Sequence, residues 1–196
     1  MLSWVKNRNG TFDRSIAFER LMRDSYRQAY SVAYRLTGDS TDAEDLVQEA
    51  YVRAFRFFHR YDDKLPFSSW MYRIIANAHI DLIRRKGKIK TSSLDHSGSD
   101  GMQAFEIADH SNVPGNDMIN ESFSESVQGG LNQMNPEFRL AVVLADVEGL
   151  SYEEVADIME TSVGTVRSRI HRGRVQLRNY LMKTAPESYG RHADVL

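Results

Sequence analysis

The sequence predicts an all-α protein: two small helical domains joined by a flexible acidic linker, the C-terminal one a helix-turn-helix. Three observations predict it. Apolar residues recur at helical spacing through most of the chain, and no β-alternation of useful length or internal repeat is visible. Helix start and stop residues punctuate those segments at the places where the apolar pattern breaks. Between the two helical stretches lies a run rich in Ser, Asn, Asp and Gly whose apolar residues follow no period.

Taken in order, Phe18, Leu21, Met22, Ala29, Val32, Ala33 and Leu36 trace the first helical face, with Gly38 as its stop. "TDAEDLVQEAYVRAF" follows, opening on a capping box expected between Thr41 and Glu44. Ala43, Leu46, Val47, Ala50, Ala54 and Phe57 form its apolar side. After the turn "YDDKLPF", Ser68 is placed to cap a third helix bearing Trp70, Met71, Ile74, Ala78 and Leu82, ended by Gly87. These three helices can share one core. The stretch from Thr91 to Gly130 reads as an extended linker, with a short helix expected near Asp117 to Val127.

A second domain then begins near Leu131. In "MNPEFRLAVVLADVEGL", Asn135 is the expected cap, Pro136 the first helical residue and Gly149 the stop. "LSYEEVADIME" carries a second capping box, Ser151 with Glu154, and Ser162 caps the final long helix. The resulting division is an N-terminal extension (1–17), a first domain (18–90), the linker (91–130), a second domain (131–183) and a tail (184–196).

The formal net charge of −2 hides strong segregation. Residues 38–50 carry Asp39, Asp42, Glu44, Asp45 and Glu49 with nothing basic. Residues 64–90 carry seven Lys or Arg against Asp81 alone, and residues 91–130 contain no Lys or Arg at all. Charge blocks of this kind speak of partners rather than of fold. The absence of cysteine excludes disulfides, thiolate metal sites and cysteine nucleophiles, and fits a cytoplasmic protein. No apolar run approaches the roughly 18 residues of a membrane span, and the first residues lack the pattern of a secretory signal, so no membrane insertion is expected. Phosphate-loop, zinc-protease and serine-hydrolase motifs are absent; no catalytic residue, metal site or cofactor is assigned.

Two stretches carry chemistry. From Ser151 to Leu181 a capped helix, a short turn and a second capped helix form a helix-turn-helix, locked by Val155, Ile158, Val166, Ile170 and Leu177. Arg167, Ser168, His171 and Arg172 share the outer face of its second helix, where side chains reach base edges in a major groove. Arg169, Arg174 and Arg178 lie further round or further on and suit phosphates. The other stretch, "PFSSWMYRIIANAHIDLIRRKGKIK", interleaves Phe67, Trp70 and Tyr72 with Ser68, Arg73, Asn77, Arg84 and Arg85. Aromatic faces beside cations suit single-stranded nucleic acid; an aromatic core with a solvated basic end fits the same pattern, since Trp70 also falls on the apolar face. The acidic helix from Thr41 likewise admits two readings: acids complementing the helix dipole, or a docking face for a basic protein surface.

The order of these pieces resembles a known family. "DAEDLVQEAYVRAF", "PFSSWMYRIIANAHIDLIRR" and "LSYEEVADIMETSVGTVRSRIHRGRVQLR" look like the signature stretches of bacterial sigma factors of the extracytoplasmic-function group. The resemblance spans 18–90 and 131–183. It implies that Asp45, Gln48, Glu49 and Arg53 dock on the clamp helices of core RNA polymerase. It implies too that the segment from Phe67 to Arg85 captures the −10 element of promoter DNA, with Asn77 in the pocket of a flipped base. Arg167, Ser168, His171 and Arg172 would then read the −35 element, and the linker would thread the polymerase's active-site channel. An anti-sigma factor is the implied inhibitor. An ordinary helix-turn-helix regulator is the competing expectation; the aromatic and basic segment from Phe67 to Arg85 has no use in such a protein. A purely structural adaptor leaves both basic segments unexplained.

Overall fold

In the computed structural model, residues 10–93 and 125–189 are described, and among them every regular element is helical. Residues 1–9, 94–124 and 190–196 lie outside the described residues, and with them most of the expected linker, most of the expected helix near Asp117, and the end of the tail.

The first unit is three helices: α1 (Gly10–Thr37), α2 (Ser40–Phe57) and α3 (Phe67–Ser93). The predicted stop at Gly38 is a residue with φ of 76°, a left-handed conformation that glycine adopts without a Cβ clash. The cap of α2 differs from expectation. Asp39, extended at φ −137° and ψ 138°, accepts from the Asp42 N–H, so the helix starts at Ser40 rather than behind Thr41. Asp39 takes the role because it immediately follows the glycine that turns the chain. Two other boundaries move as well. α3 opens at Phe67, directly behind Pro66, rather than behind a Ser68 cap, and it runs through Gly87 to Ser93. An isolated glycine costs a helix only about 1 kcal/mol, too little to end one by itself.

The core of this unit is aliphatic in the middle and aromatic at one end. Val32, Ala33, Leu36, Leu46, Val47, Met71 and Ile75 are almost fully enclosed. Beyond them Phe18, Phe58, Tyr61, Phe67 and Trp70 pack edge-to-face or tilted, apart from Phe58 and Tyr61, which stack, with centroids 5.1–6.5 Å apart.

The second unit comprises α4 (Glu125–Gln133), α5 (Pro136–Val142), α6 (Tyr152–Ile158), α7 (Val163–Thr184) and a single turn, α8 (Pro186–Tyr189). It starts earlier than Leu131, because α4 packs its glycine pair Gly129 and Gly130 against Tyr180 and Leu177 of α7. Three expected caps are present. Asn135 accepts from Glu137 N–H ahead of Pro136, Ser151 and Glu154 form the reciprocal capping box, and Ser162 accepts from Thr165 N–H. After Val142 the helix widens into one π turn (Val143–Val147), and Gly149, at φ 71°, turns the chain into α6. Val155, Ile158, Val166 and Ile170 are buried where α6 crosses α7, and Leu177 is partly buried.

Replacing Ser151 by Ala removes the hydroxyl that accepts from Glu154 N–H at 3.2 Å and donates to its carboxylate at 2.9 Å. The expected cost is about 1 kcal/mol of stability. Chemical denaturation of the full chain checks it; an unchanged midpoint would mean that the box contributes nothing.

Candidate nucleic-acid interface

α7 is positioned by its cap and by its buried stripe. Val166, Ile170 and Gly173 face inward at i, i+4 and i+7, which leaves Arg167, Ser168, His171 and Arg172 exposed on the opposite face. None of those four side chains has a hydrogen bond or ion pair to another described residue. The expected phosphate contacts differ from one another. Arg169 Nη2 donates to Glu137 at 2.6 Å. Arg174 forks onto Asp146, with Nε–H to one oxygen at 3.0 Å and Nη2–H to the other at 2.6 Å. That fork raises the Arg174 pKa further above its ordinary value, first through the hydrogen bond to Asp146. Arg178 is exposed near the end of the helix. Exposed pairs of this kind are worth about 0–1 kcal/mol, little enough for a phosphate to displace the carboxylate.

On the first unit, Arg73, Asn77 and Arg84 recur at four and seven residues along α3, so they form one stripe. Arg73 and Arg84 are exposed and Asn77 is half-buried. Arg85, also exposed, donates back to the carbonyl of Asp81 at 3.4 Å. Asn77, Ile80, Asp81 and Arg84, with Arg53 of α2, line a cleft of about 420 Å³ whose far wall is Ile158, Met159 and Glu160 from the turn of the helix-turn-helix.

The aromatics expected on this surface separate into two groups. Phe67 is buried in the aromatic core, 6.3 Å from Phe18, and Tyr72 is 4% exposed. Their rings therefore do not form a stacking surface in this conformation. Helical periodicity puts both on the side that meets α1 and α2 or the second unit. Trp70 is partly buried at 5.3 Å from Tyr61, and Ser68 lies beside it at the start of the helix.

On α2, Asp45, Gln48 and Glu49 are exposed. Arg53 is held between Glu49 and Asp81, at 2.7 Å from each, and so ties α2 to α3. The hydrogen bond to Asp81 is the main reason its pKa is raised. Two further residues of this face escaped the sequence reading: Val52 and Phe55, each 56% exposed. They stand seven and ten residues after Asp45, on the same stripe, and that spacing was the available signal.

Also unforeseen was the joint between the units. Arg139 of α5 is buried; its Nη1–H donates to Leu36 O at 2.6 Å and its Nη2–H to Asn132 O at 2.7 Å. Burial pulls its pKa down to about 10, still far above neutrality. Glu148 accepts from the Tyr72 hydroxyl at 2.5 Å and from Gln28 at 3.5 Å, with Arg35 at 3.9 Å. Burial, then the bond to Glu148, drives the Tyr72 pKa far above its ordinary value.

Among the described residues no group of His, Asp and Glu is arranged to hold a metal ion, and no helix is long and apolar enough to cross a membrane.

Two helical units of this design, one ending in a helix-turn-helix, are matched by family models: Sigma-70 region 2 over residues 21–89 and Sigma-70, region 4 over residues 124–177. The chain thus has the two conserved parts of a sigma-70-type transcription factor. It belongs to the extracytoplasmic-function sigma factors: it is 33% identical over 160 residues to SigW of Bacillus subtilis, covering 81% of this chain and 86% of that one. It is 40% identical over 178 residues to SigE of Mycolicibacterium smegmatis, covering 88% of this chain but 64% of that longer relative. The fold is shared with the sigma factor RpoE solved with the anti-sigma factor NepR from Bartonella quintana, at a TM-score of 0.63 and 22% identity, over 86% of this chain and 98% of that one. It is shared as well with CnrH solved with the cytosolic domain of CnrY, at 0.56 and 24%, over 87% and 91%.

Proposed function

We propose that this chain binds core RNA polymerase in the cytoplasm and confers promoter specificity through two separate DNA-reading faces, with the polymerase supplying all the chemistry. The observation that carries the reading is the pairing of these faces. Arg167, Ser168, His171 and Arg172 stand exposed on the second helix of a helix-turn-helix, and Arg73, Asn77 and Arg84 line one side of α3 in the other unit. The first set suits duplex readout of a −35 element, two arginine forks with adaptable Ser and His between them. The second combines cations with a half-buried amide at a cleft, which suits an extruded base of a −10 element. Of the expected aromatics, Trp70 is the one placed near enough to the surface to stack.

Asp45, Gln48 and Glu49, continued by Val52 and Phe55, form the docking face for the polymerase. Arg53 works from behind it, fixing α2 against α3. Arg169, Arg174 and Arg178 hold phosphates once their carboxylate partners are displaced. An anti-sigma factor regulates the protein, as the complex of RpoE with NepR suggests by similarity of fold.

Run-off transcription with purified core polymerase and a genomic promoter library tests this. The expected result is a set of new start sites that require this chain, and a loss of about 10-fold or more with Asn77→Ala, the equivalent of roughly 1–3 kcal/mol for one lost base contact. Absence of new transcripts, with tight duplex binding by the free chain, would instead identify a conventional helix-turn-helix regulator.

A further inference from the structure

The arginines of α7 sort by partner as well as by position. The helix contains no Asp or Glu, so it has no acid of its own to pair with an arginine one turn away. Its counter-charges come from elsewhere in the second unit. Glu137, in the first turn of α5, meets Arg169, and Asp146, in the π turn, meets Arg174. The side chains of Arg167 and Arg172 have no ion pair to another described residue.

Helical geometry gives this sorting a direction. With about 3.6 residues per turn, Ser168, His171 and Arg172 fall toward the middle of the exposed face, while Arg169 and Arg174 stand at its two opposite edges. A helix about 10–12 Å across, lying in a major groove about 12 Å wide, has a phosphate strand along each edge. The two paired arginines are therefore the ones that would meet the two backbones. Each carboxylate already offers its arginine what a phosphate would. Asp146 takes two N–H bonds from Arg174, at 2.6 and 3.0 Å, in the fork arrangement that phosphate oxygens also accept. Glu137 takes one from Arg169 at 2.6 Å.

We propose that Glu137 and Asp146 are counter-charge stops, which neutralise the two edges of the α7 face in the free chain and give way to the two phosphate strands when duplex DNA enters. The proposal rests on the reading of α7 as a duplex-binding helix. The stops act on the part of binding that is blind to sequence, because phosphate contacts supply essentially all of it. The base-reading arginines are left without a counter-charge. Exchange toward DNA is favourable, since an exposed ion pair is weak in water and an arginine that moves to a phosphate releases a condensed counterion. The exchange also has a cost. Each pair is broken, and each freed carboxylate then stands beside phosphates of its own sign. Binding of the free chain to arbitrary duplex is thereby held down.

The test is a titration of the full chain on a fluorescein-labelled duplex of mixed sequence, read by anisotropy over a series of salt concentrations. Glu137→Gln and Asp146→Asn keep side-chain shape and remove one charge each. Each is expected to tighten binding by about 3-fold or more, and to steepen the slope of log K against log salt by about 0.9, one further effective charge. Glu187→Gln makes the same change in net charge at an exposed acid of α8. It is expected to leave both readings nearly unchanged at about 0.1 M salt, where charges more than about 10 Å away are screened. Double-mutant cycles read the pairing itself: the gain from Glu137→Gln should vanish in the Arg169→Ala background, and that from Asp146→Asn in Arg174→Ala. Gains that persist without the arginine, or that Glu187→Gln reproduces, would overturn the stops, because lost negative charge alone would account for them. Unchanged or weaker binding by both acid variants would overturn them as well, since the acids would then hold the arginines in place for DNA. The arginine variants report on the underlying reading. If Arg169→Ala and Arg174→Ala bind duplex as the parent does, the phosphate reading of α7 falls and the stops with it. A normal loss in those two, without a gain in the acid variants, removes the stops alone.

Discussion

Gly173→Val is expected to be the most destabilising single substitution in the second unit, costing about 3 kcal/mol and lowering its thermal midpoint by about 10 °C. Gly173 lies where α7 crosses α5 at closest approach. Even one added carbon there would stand 2.6 Å from Val142 Cγ2, 3.2 Å from the Met134 sulfur and 3.3 Å from the Phe138 carbonyl oxygen. Val142 is β-branched, buried and stiff, and the carbonyl belongs to a helix backbone, so neither can give way cheaply. Removing a helical glycine gains less than about 1 kcal/mol of propensity, which is too little to offset the clash. Differential scanning calorimetry of the full chain reads the effect. A midpoint within about a degree of the parent would show that the α5–α7 crossing is looser than described.

The largest functional loss is expected from the double substitution Arg167→Ala with Arg172→Ala. Both side chains are exposed, and neither has a hydrogen bond or ion pair to another described residue, so their removal leaves the stability of the helix-turn-helix almost unchanged. Each guanidinium can make a two-donor contact to a guanine edge worth about 1–3 kcal/mol. If both act, promoter-dependent transcription falls by about 100-fold or more, while affinity for core polymerase, for which the proposed docking face lies on α2, stays the same. Arg169→Ala gives the contrasting behaviour expected of a phosphate contact, weakening binding on all sequences alike and lowering the salt dependence. Run-off assays on wild-type and scrambled −35 sequences separate the two. Equal losses on both templates would sink base readout by Arg167 and Arg172.

Much of the second unit was legible from short-range patterns. The capping box of Ser151 with Glu154, the caps Asn135 and Ser162, and the stop at Gly149 each involve residues within a few positions of one another, and each is present. The exposed set on α7 follows from the same local rule, since the buried stripe of Val166, Ile170 and Gly173 fixes which residues point away. Competition between neighbouring signals explains the misplaced boundaries. Asp39 and Thr41 are both good caps two residues apart, and the decision fell to the residue directly behind the Gly38 turn.

The chain's own order of apolar, capping and charged residues therefore determined the helices, the two-unit organisation and the exposed basic face of α7, because those depend on contacts closed within a turn or two. Tertiary structure alone decided which cations are tied up and which faces are covered. Arg174 meets Asp146 across 28 residues, Tyr72 meets Glu148 across 76, and Arg139 reaches Leu36 across 103. No periodicity encodes such pairs. Burial of Phe67 and Tyr72 likewise depends on which neighbour packs against each side of α3, and an aromatic on a helix face has the same spacing whether it meets a core, a second unit or a base.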